Sequence, residues 1–340
     1  MVKQQEKLWV YDAVEPGQAG RPVVVNVTHE HIARYALVAQ NPDARYHRAG
    51  ANREFGGALV AMPTMALTYA PLLRDDIADS NGFVALEQSL TARRQTPFAK
   101  CEIRWFHPVR AGETITSTRR VLEKYQRRGS KFVTFRVEAA NQRGEKVAEY
   151  DYTCIFEYAG ESKQAPREPG PAHPTLADAQ PAQQPPDPAS FLSFDSISVS
   201  QQLHPLAISE SQEIINHKNE LRLAGSPSPS NIHTDEEFAR KNIFGGTVNS
   251  GPATMSYVDQ MLERSFLLGA FYDGGRLVVR AIEPFRAGDT VTFQGEITAK
   301  RQNPPYQGEK KGGVVECRVR GANQRGDLVC LSDATLALPE

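Results

Sequence analysis

Three short runs of sequence recur in the same order in the two halves of the chain, and this repetition constrains the fold more than any other feature. Phe55-Gly56-Gly57 returns as Phe244-Gly245-Gly246. Arg110-Ala111-Gly112-Glu113-Thr114-Ile115-Thr116 returns as Arg286-Ala287-Gly288-Asp289-Thr290-Val291-Thr292, and Ala140-Asn141-Gln142-Arg143-Gly144 returns as Ala322-Asn323-Gln324-Arg325-Gly326. Self-similarity of this kind means one supersecondary unit built twice. The Asn-Gln-Arg-Gly runs read as hairpin turns between strands. Two such sheets can pair edge to edge, each hiding a strand edge that it would otherwise expose.

Within the first copy, residues 23–27 read as a strand and Thr28 as the cap of a helix that ends at Asn41-Pro42-Asp43. Pro63 opens a second helix, apolar on most sides, which Pro71 and Asp75 disturb. Residues 101–106, 114–123, 131–139 and 146–158 then alternate or are β-branched, and predict a long antiparallel meander. In the second copy Ser209-Glu210-Ser211-Gln212 has the form of a capping box and starts the helix matching that of Thr28. Between the copies, prolines fall among Ala, Gln and Asp, the composition of an extended linker. With 340 residues available, the expected division is a first domain over 1–160, a linker over 161–190 and a second domain over 191–340.

The net charge of -1 argues against a nucleic-acid partner, which needs a basic footprint. No apolar run reaches the roughly 20 residues of a membrane span, and the polar opening residues 1–6 give no secretory signal. Cys101, Cys154, Cys317 and Cys330 form no C-x-x-C pair. Reduced thiols in a cytoplasm are therefore expected, with no metal site.

The stretch richest in chemistry runs from Ser228 to Met255. It carries His233, a charged helical turn, the pair Gly245-Gly246, and then Ser250-Gly251-Pro252. Proline suits the start of a helix and Ser250 or Gly251 the cap before it, so free N–H groups there can receive negative charge. An imidazole near such a donor can exchange protons beside a developing oxyanion.

The run Asn231-Ile232-His233-Thr234-Asp235, with Phe238-Ala239, Phe244-Gly245-Gly246, the Ser250-Gly251 helix start and the Arg286-Ala287-Gly288-Asp289-Thr290 turn, resembles the MaoC-like hydratase/dehydratase family, which includes the (R)-specific enoyl-CoA hydratases. The resemblance covers nearly everything outside the linker and the N-terminal tail. It implies an α+β fold of two tandem hot-dog domains, each a long helix wrapped by an antiparallel sheet, paired into one continuous sheet. It implies a lyase that adds or removes water at the 2,3 position of an enoyl or 3-hydroxyacyl thioester. The partner is then an acyl-CoA or acyl carrier protein, with CoA or phosphopantetheine part of the substrate and no separate cofactor. By the same resemblance His233 is the catalytic histidine and Gly251 the backbone donor to the thioester oxygen. Ser228, Ser230, Asn231, Gly245, Gly246 and Ser250 are the residues expected near the substrate. A monomer or a homodimer fits the duplication.

The sequence departs from the family's D-x-N-P-[IL]-H motif. Five residues before His233 stands Ser228 where the family has Asp, and Ser230 and Asn231 take the Asn and Pro positions. In the first copy the Asp and His positions are Asn41 and Tyr46, so that half reads as a degenerate copy that shapes a groove for the acyl chain. Asp43 reads as a turn residue, Asp235 as a helix cap, and Asp259 as too deep in its helix to serve as the acid. Met255, Met261 and Leu262 read as core. Two other readings stay open on these residues: a thioester-binding protein without hydratase chemistry, and a thioesterase on the same fold.

Overall fold

The computed structural model describes residues 6–160, 187–225, 231–302 and 312–339. Nearly all of the expected linker, together with Ser228 and Ser230, lies outside the described residues. In the first half β1 (Val23–Asn26) leads to α1 (His29–Val38). After two 3-10 turns comes a third, Pro63–Met65, continued by α2 (Ala66–Tyr69) and followed by α3 (Arg74–Ser80). The meander is β2 (Phe98–Trp105), β3 (Thr114–Arg127), β4 (Ser130–Asn141) and β5 (Lys146–Glu157). The second half repeats it with β6 (Leu206–Ser209), α4 (Gln212–Glu220), α5 (Glu236–Arg240), α6 (Gly251–Glu263), α7 (Gly269–Tyr272), β7 (Arg276–Ala281), β8 (Thr290–Gln302), β9 (Gly312–Asn323) and β10 (Leu328–Pro339).

All ten strands form one antiparallel sheet in the order β1-β3-β4-β5-β2-β7-β10-β9-β8-β6. The order reads the same from either end once β1 is equated with β6, β3 with β8, β4 with β9, β5 with β10 and β2 with β7. The halves join at β2 and β7, where Cys101 faces Val279 and Ile103 faces Leu277. This is the double hot-dog architecture that the family resemblance implies, with the sheets paired edge to edge as the duplication predicts.

The repeated motifs are the hooks that hold each meander. Gly112 and Gly288, and Gly144 and Gly326, all take positive φ of 78–90°, where a Cβ is strained. In both copies the two turns clasp each other. The Thr114 amide donates to Gln142 Oε1 at 3.1 Å and Arg143 pairs with Glu113 at 3.1 Å. In the second copy the Thr290 amide donates to Gln324 Oε1 at 2.9 Å and Arg325 pairs with Asp289 at 2.9 Å.

The central helices differ between the copies. Helix α6 runs 13 residues with Met255, Met261 and Leu262 wholly buried. Its first-half counterpart stops at Tyr69, because Pro71 has no N–H to give and crowds the preceding turn; Leu73 then takes φ 45° before α3 begins. The expected cap of α4 also moves. Ser211, not Ser209, accepts the Ile214 amide, while Ser209 ends β6. All four cysteines are buried free thiols. Among the described residues no helix is long and apolar enough to cross a membrane.

Candidate active site

A cavity of about 590 Å³ opens between the halves, and both contribute walls. Leu72, Phe98 and Tyr152 come from the first half, and Ile232, Phe285 and the start of α6 from the second. Of the residues singled out in the sequence, His233, Asn231, Ser250 and Gly251 line it. Gly245 and Gly246, expected near the substrate, do not: Gly245, at φ 63°, serves the turn after α5, and Gly246 follows it without a positive φ.

Local bonds bring His233 to the helix start. The Val248 amide donates to the Ile232 carbonyl at 3.1 Å, and His233 Nδ1 donates to the Val248 carbonyl at 2.8 Å. Gln212 ties the same two segments, donating to the His233 carbonyl at 2.7 Å and accepting from Thr247 Oγ1 at 2.8 Å. Asn231 fixes the bend, its Oδ1 accepting the amides of His233 at 2.8 Å and Thr234 at 3.1 Å. Arg286, from the repeated turn, donates to the carbonyls of Phe244 at 2.6 Å and Thr247 at 3.2 Å, and so holds the glycine loop from behind.

A carbonyl can only accept, so Nδ1 carries the ring proton and Nε2 keeps its lone pair. Burial pushes the ring down to about 4; the bond to Val248 opposes this and the charges of Arg74 and Arg222 add to it. The imidazole is therefore neutral at neutral pH. Among the described residues no carboxylate hydrogen-bonds or pairs with it. The charges that bear on it are cationic: Arg222 is exposed at the cavity wall, and Arg74 is paired with Glu87 at 2.9 Å. Neither arginine stood out in the sequence, because each reaches the cavity only through the packing of the halves.

Ser250 caps α6 through Oγ, which accepts the Ala253 amide at 3.3 Å; Gly251 is the first helical residue and Pro252 the second. A Cβ at Gly251 would lie 2.4 Å from the Phe98 ring, so only glycine allows the first half to close here. Asp235 caps α5, and Asp43 caps a 3-10 turn and pairs with Arg45 at 2.7 Å. His47 is spent on the Asn41 carbonyl at 2.7 Å.

The equivalent place in the first half is filled. Asn41 and Tyr46 are buried there against acids from α6: Asn41 Nδ2 donates to Glu263 at 3.4 Å and Arg45 lies 3.6 Å from the same carboxyl. The Thr64 amide and hydroxyl donate to Asp259 at 2.9 and 2.6 Å. Burial raises the affinity of both acids for protons.

Two family models match the chain, a FAS1-like dehydratase domain region over residues 15–150 and a MaoC-like domain over 222–316. Comparison with curated proteins gives no match. Among solved structures, a MaoC-like dehydratase superposes with a TM-score of 0.68 at 18% identity, over 95% of this chain and 98% of the other. A putative MaoC domain protein dehydratase from Chloroflexus aurantiacus J-10-fl gives 0.66 at 15% identity, over 99% of each chain. A conserved hypothetical protein from Mycobacterium tuberculosis with a double hotdog fold gives 0.59 at 15% identity, over 98% and 99%.

Proposed function

The chain belongs to the MaoC-like dehydratases in their double hot-dog form, and from that premise we propose that it adds water to, or removes it from, the 2,3 position of an acyl thioester in the cavity between its halves. The observation that carries this reading is the wall that holds both a neutral imidazole and an uncommitted helix-start amide. Hydration uses them in turn. The His233 Nε2 lone pair takes a proton from water as the oxygen attacks C3. Electrons move through C2 to the thioester oxygen, where the Gly251 N–H meets the charge. The imidazolium then returns its proton to C2. Dehydration runs the same steps backward.

On this reading one imidazole handles both proton transfers, because serine at position 228 cannot act as a base near neutral pH. The substrate is carried on CoA or an acyl carrier protein, and no separate cofactor or metal takes part.

The test is the loss of enoyl absorbance with a panel of 2-enoyl-CoA esters, short and long. The wild type is expected to turn over at least one, and His233→Ala to lose about a hundredfold or more of kcat while remaining folded at the assay temperature. With the ring pushed down to about 4, kcat/KM is expected to stay level from about pH 5.5 to about 8. No turnover across the panel, or full activity in His233→Ala, sinks the proposal. The lack of a carboxylate at His233 among the described residues favours a second reading, a thioester-binding protein. Tight binding of the panel without turnover selects it.

A further inference from the structure

The amides from Asn249 to Thr254 account for themselves one by one. The Asn249 N–H donates to the Phe285 carbonyl at 2.7 Å, and the Ser250 N–H to the side-chain Oδ1 of Asn249 at 2.9 Å. Pro252 has none. The Ala253 N–H donates to Ser250 Oγ at 3.3 Å and the Thr254 N–H to the Ser250 carbonyl at 3.1 Å. Among the described residues only the Gly251 N–H is left over, and it stands at the cavity wall.

Glycine lacks the Cβ that would restrict its peptide plane, so the direction of that N–H must be set by neighbours. Asn249 is the neighbour equipped to set it. Its Oδ1 pins the preceding amide, and its Nδ2 donates to Glu210 Oε2 at 2.6 Å. Asn249 is 9% exposed and Glu210 0%. The same Glu210 oxygen accepts Lys218 Nζ at 2.7 Å and the Tyr257 hydroxyl at 2.7 Å, and Gln40 of the first half donates to that hydroxyl at 3.1 Å. Glu210 Oε1 has no hydrogen-bond partner among the described residues. A buried ion pair is expensive to desolvate and is weak support for stability, more so with one oxygen unmet. Its retention behind the helix start is explained by what it holds in place.

We propose that Asn249 is a positioning residue that aims the Gly251 amide into the cavity, and that the buried Glu210–Lys218–Tyr257 cluster fixes Asn249 for that task. The proposal rests on the thioester reading above, and it adds residues that neither the family resemblance nor the motifs assign.

The test uses the full chain with crotonyl-CoA as substrate and butyryl-CoA as an unreactive ligand. Asn249→Ala is expected to lower kcat toward the hundredfold to thousandfold, roughly, that loss of an oxyanion donor costs, with affinity for butyryl-CoA close to wild type and the protein folded at the assay temperature, though less stable because the buried Glu210 loses a donor. Asn249→Asp faces Glu210 with a second carboxylate and is expected to lose as much. Wild-type kcat in Asn249→Ala overturns the proposal. So does a loss that only follows weaker binding or unfolding at the assay temperature. If the wild type turns over no enoyl-CoA, the function has failed separately, and the Gly251 amide resonance decides. It is expected to shift on adding butyryl-CoA to the wild type and to stay put in Asn249→Ala. A shift of equal size in both, or in neither, rejects the role.

Discussion

Asp259 and Glu263 sit one helical turn apart, and each has an oxygen, Oδ1 and Oε1, without a hydrogen-bond partner among the described residues. One proton held between them meets both needs, and burial pushes Asp259 up to about 7 accordingly. The folded chain therefore binds more protons here than the unfolded chain does. Its stability falls as pH rises from the ordinary carboxylate range through about 7, where Asp259 loses its proton, and goes on falling for as long as Glu263 keeps its own. Asp259→Asn can still accept both Thr64 donors and gives Glu263 a permanent N–H. Thermal unfolding from about pH 5 to about 8 is expected to show a smaller decline in this variant, and a gain of roughly 1–3 kcal/mol at the alkaline end. Parallel curves for the two proteins would mean that the acids share no proton.

At the scale of elements, the paired turns are the parts most plainly written in the sequence. Asn323 accepts the amides of Arg325 at 3.0 Å and Asp327 at 3.0 Å and donates to Asp327 Oδ2 at 3.0 Å. Asn323→Ala is expected to cost about 1 kcal/mol in denaturant unfolding, since it removes three turn hydrogen bonds whose partners can turn to water instead; an unchanged midpoint would show that the clasp is dispensable. These turns were legible because a glycine at positive φ and an acceptor at a fixed offset need only local sequence. The meander was legible from alternation. The early end of α2 was half legible, since Pro71 is visible but the turn taken by Leu73 is not. The capping serine of α4 was misplaced by two residues because β6 claims Ser209. The site divides in the same way. His233 and Gly251 lie in one recognisable stretch, whereas Arg74, Phe98 and Glu210 reach it by folding across long separations, and spacing carries no trace of that.

For the whole molecule, the seam between β2 and β7 sets how far the halves depend on each other. Without the first half, β7 would present Leu277, Val278 and Val279, all buried at present, beside an unpaired strand edge. A chain cut to residues 187–340 is expected to self-associate in size-exclusion chromatography and to be rescued by co-expression with residues 1–160. A monodisperse monomer of the cut chain would show that the seam is not needed. Joining the copies has a further effect. In a pair of identical subunits every substitution is made twice, at both symmetry-related places. Here Asp259 and Glu263 stand in one helix with Thr64 and Arg45 opposite them, and Tyr46 stands where the other copy has His233. Covalent union thus released the twins from having to change together, and one of them became free to be furniture.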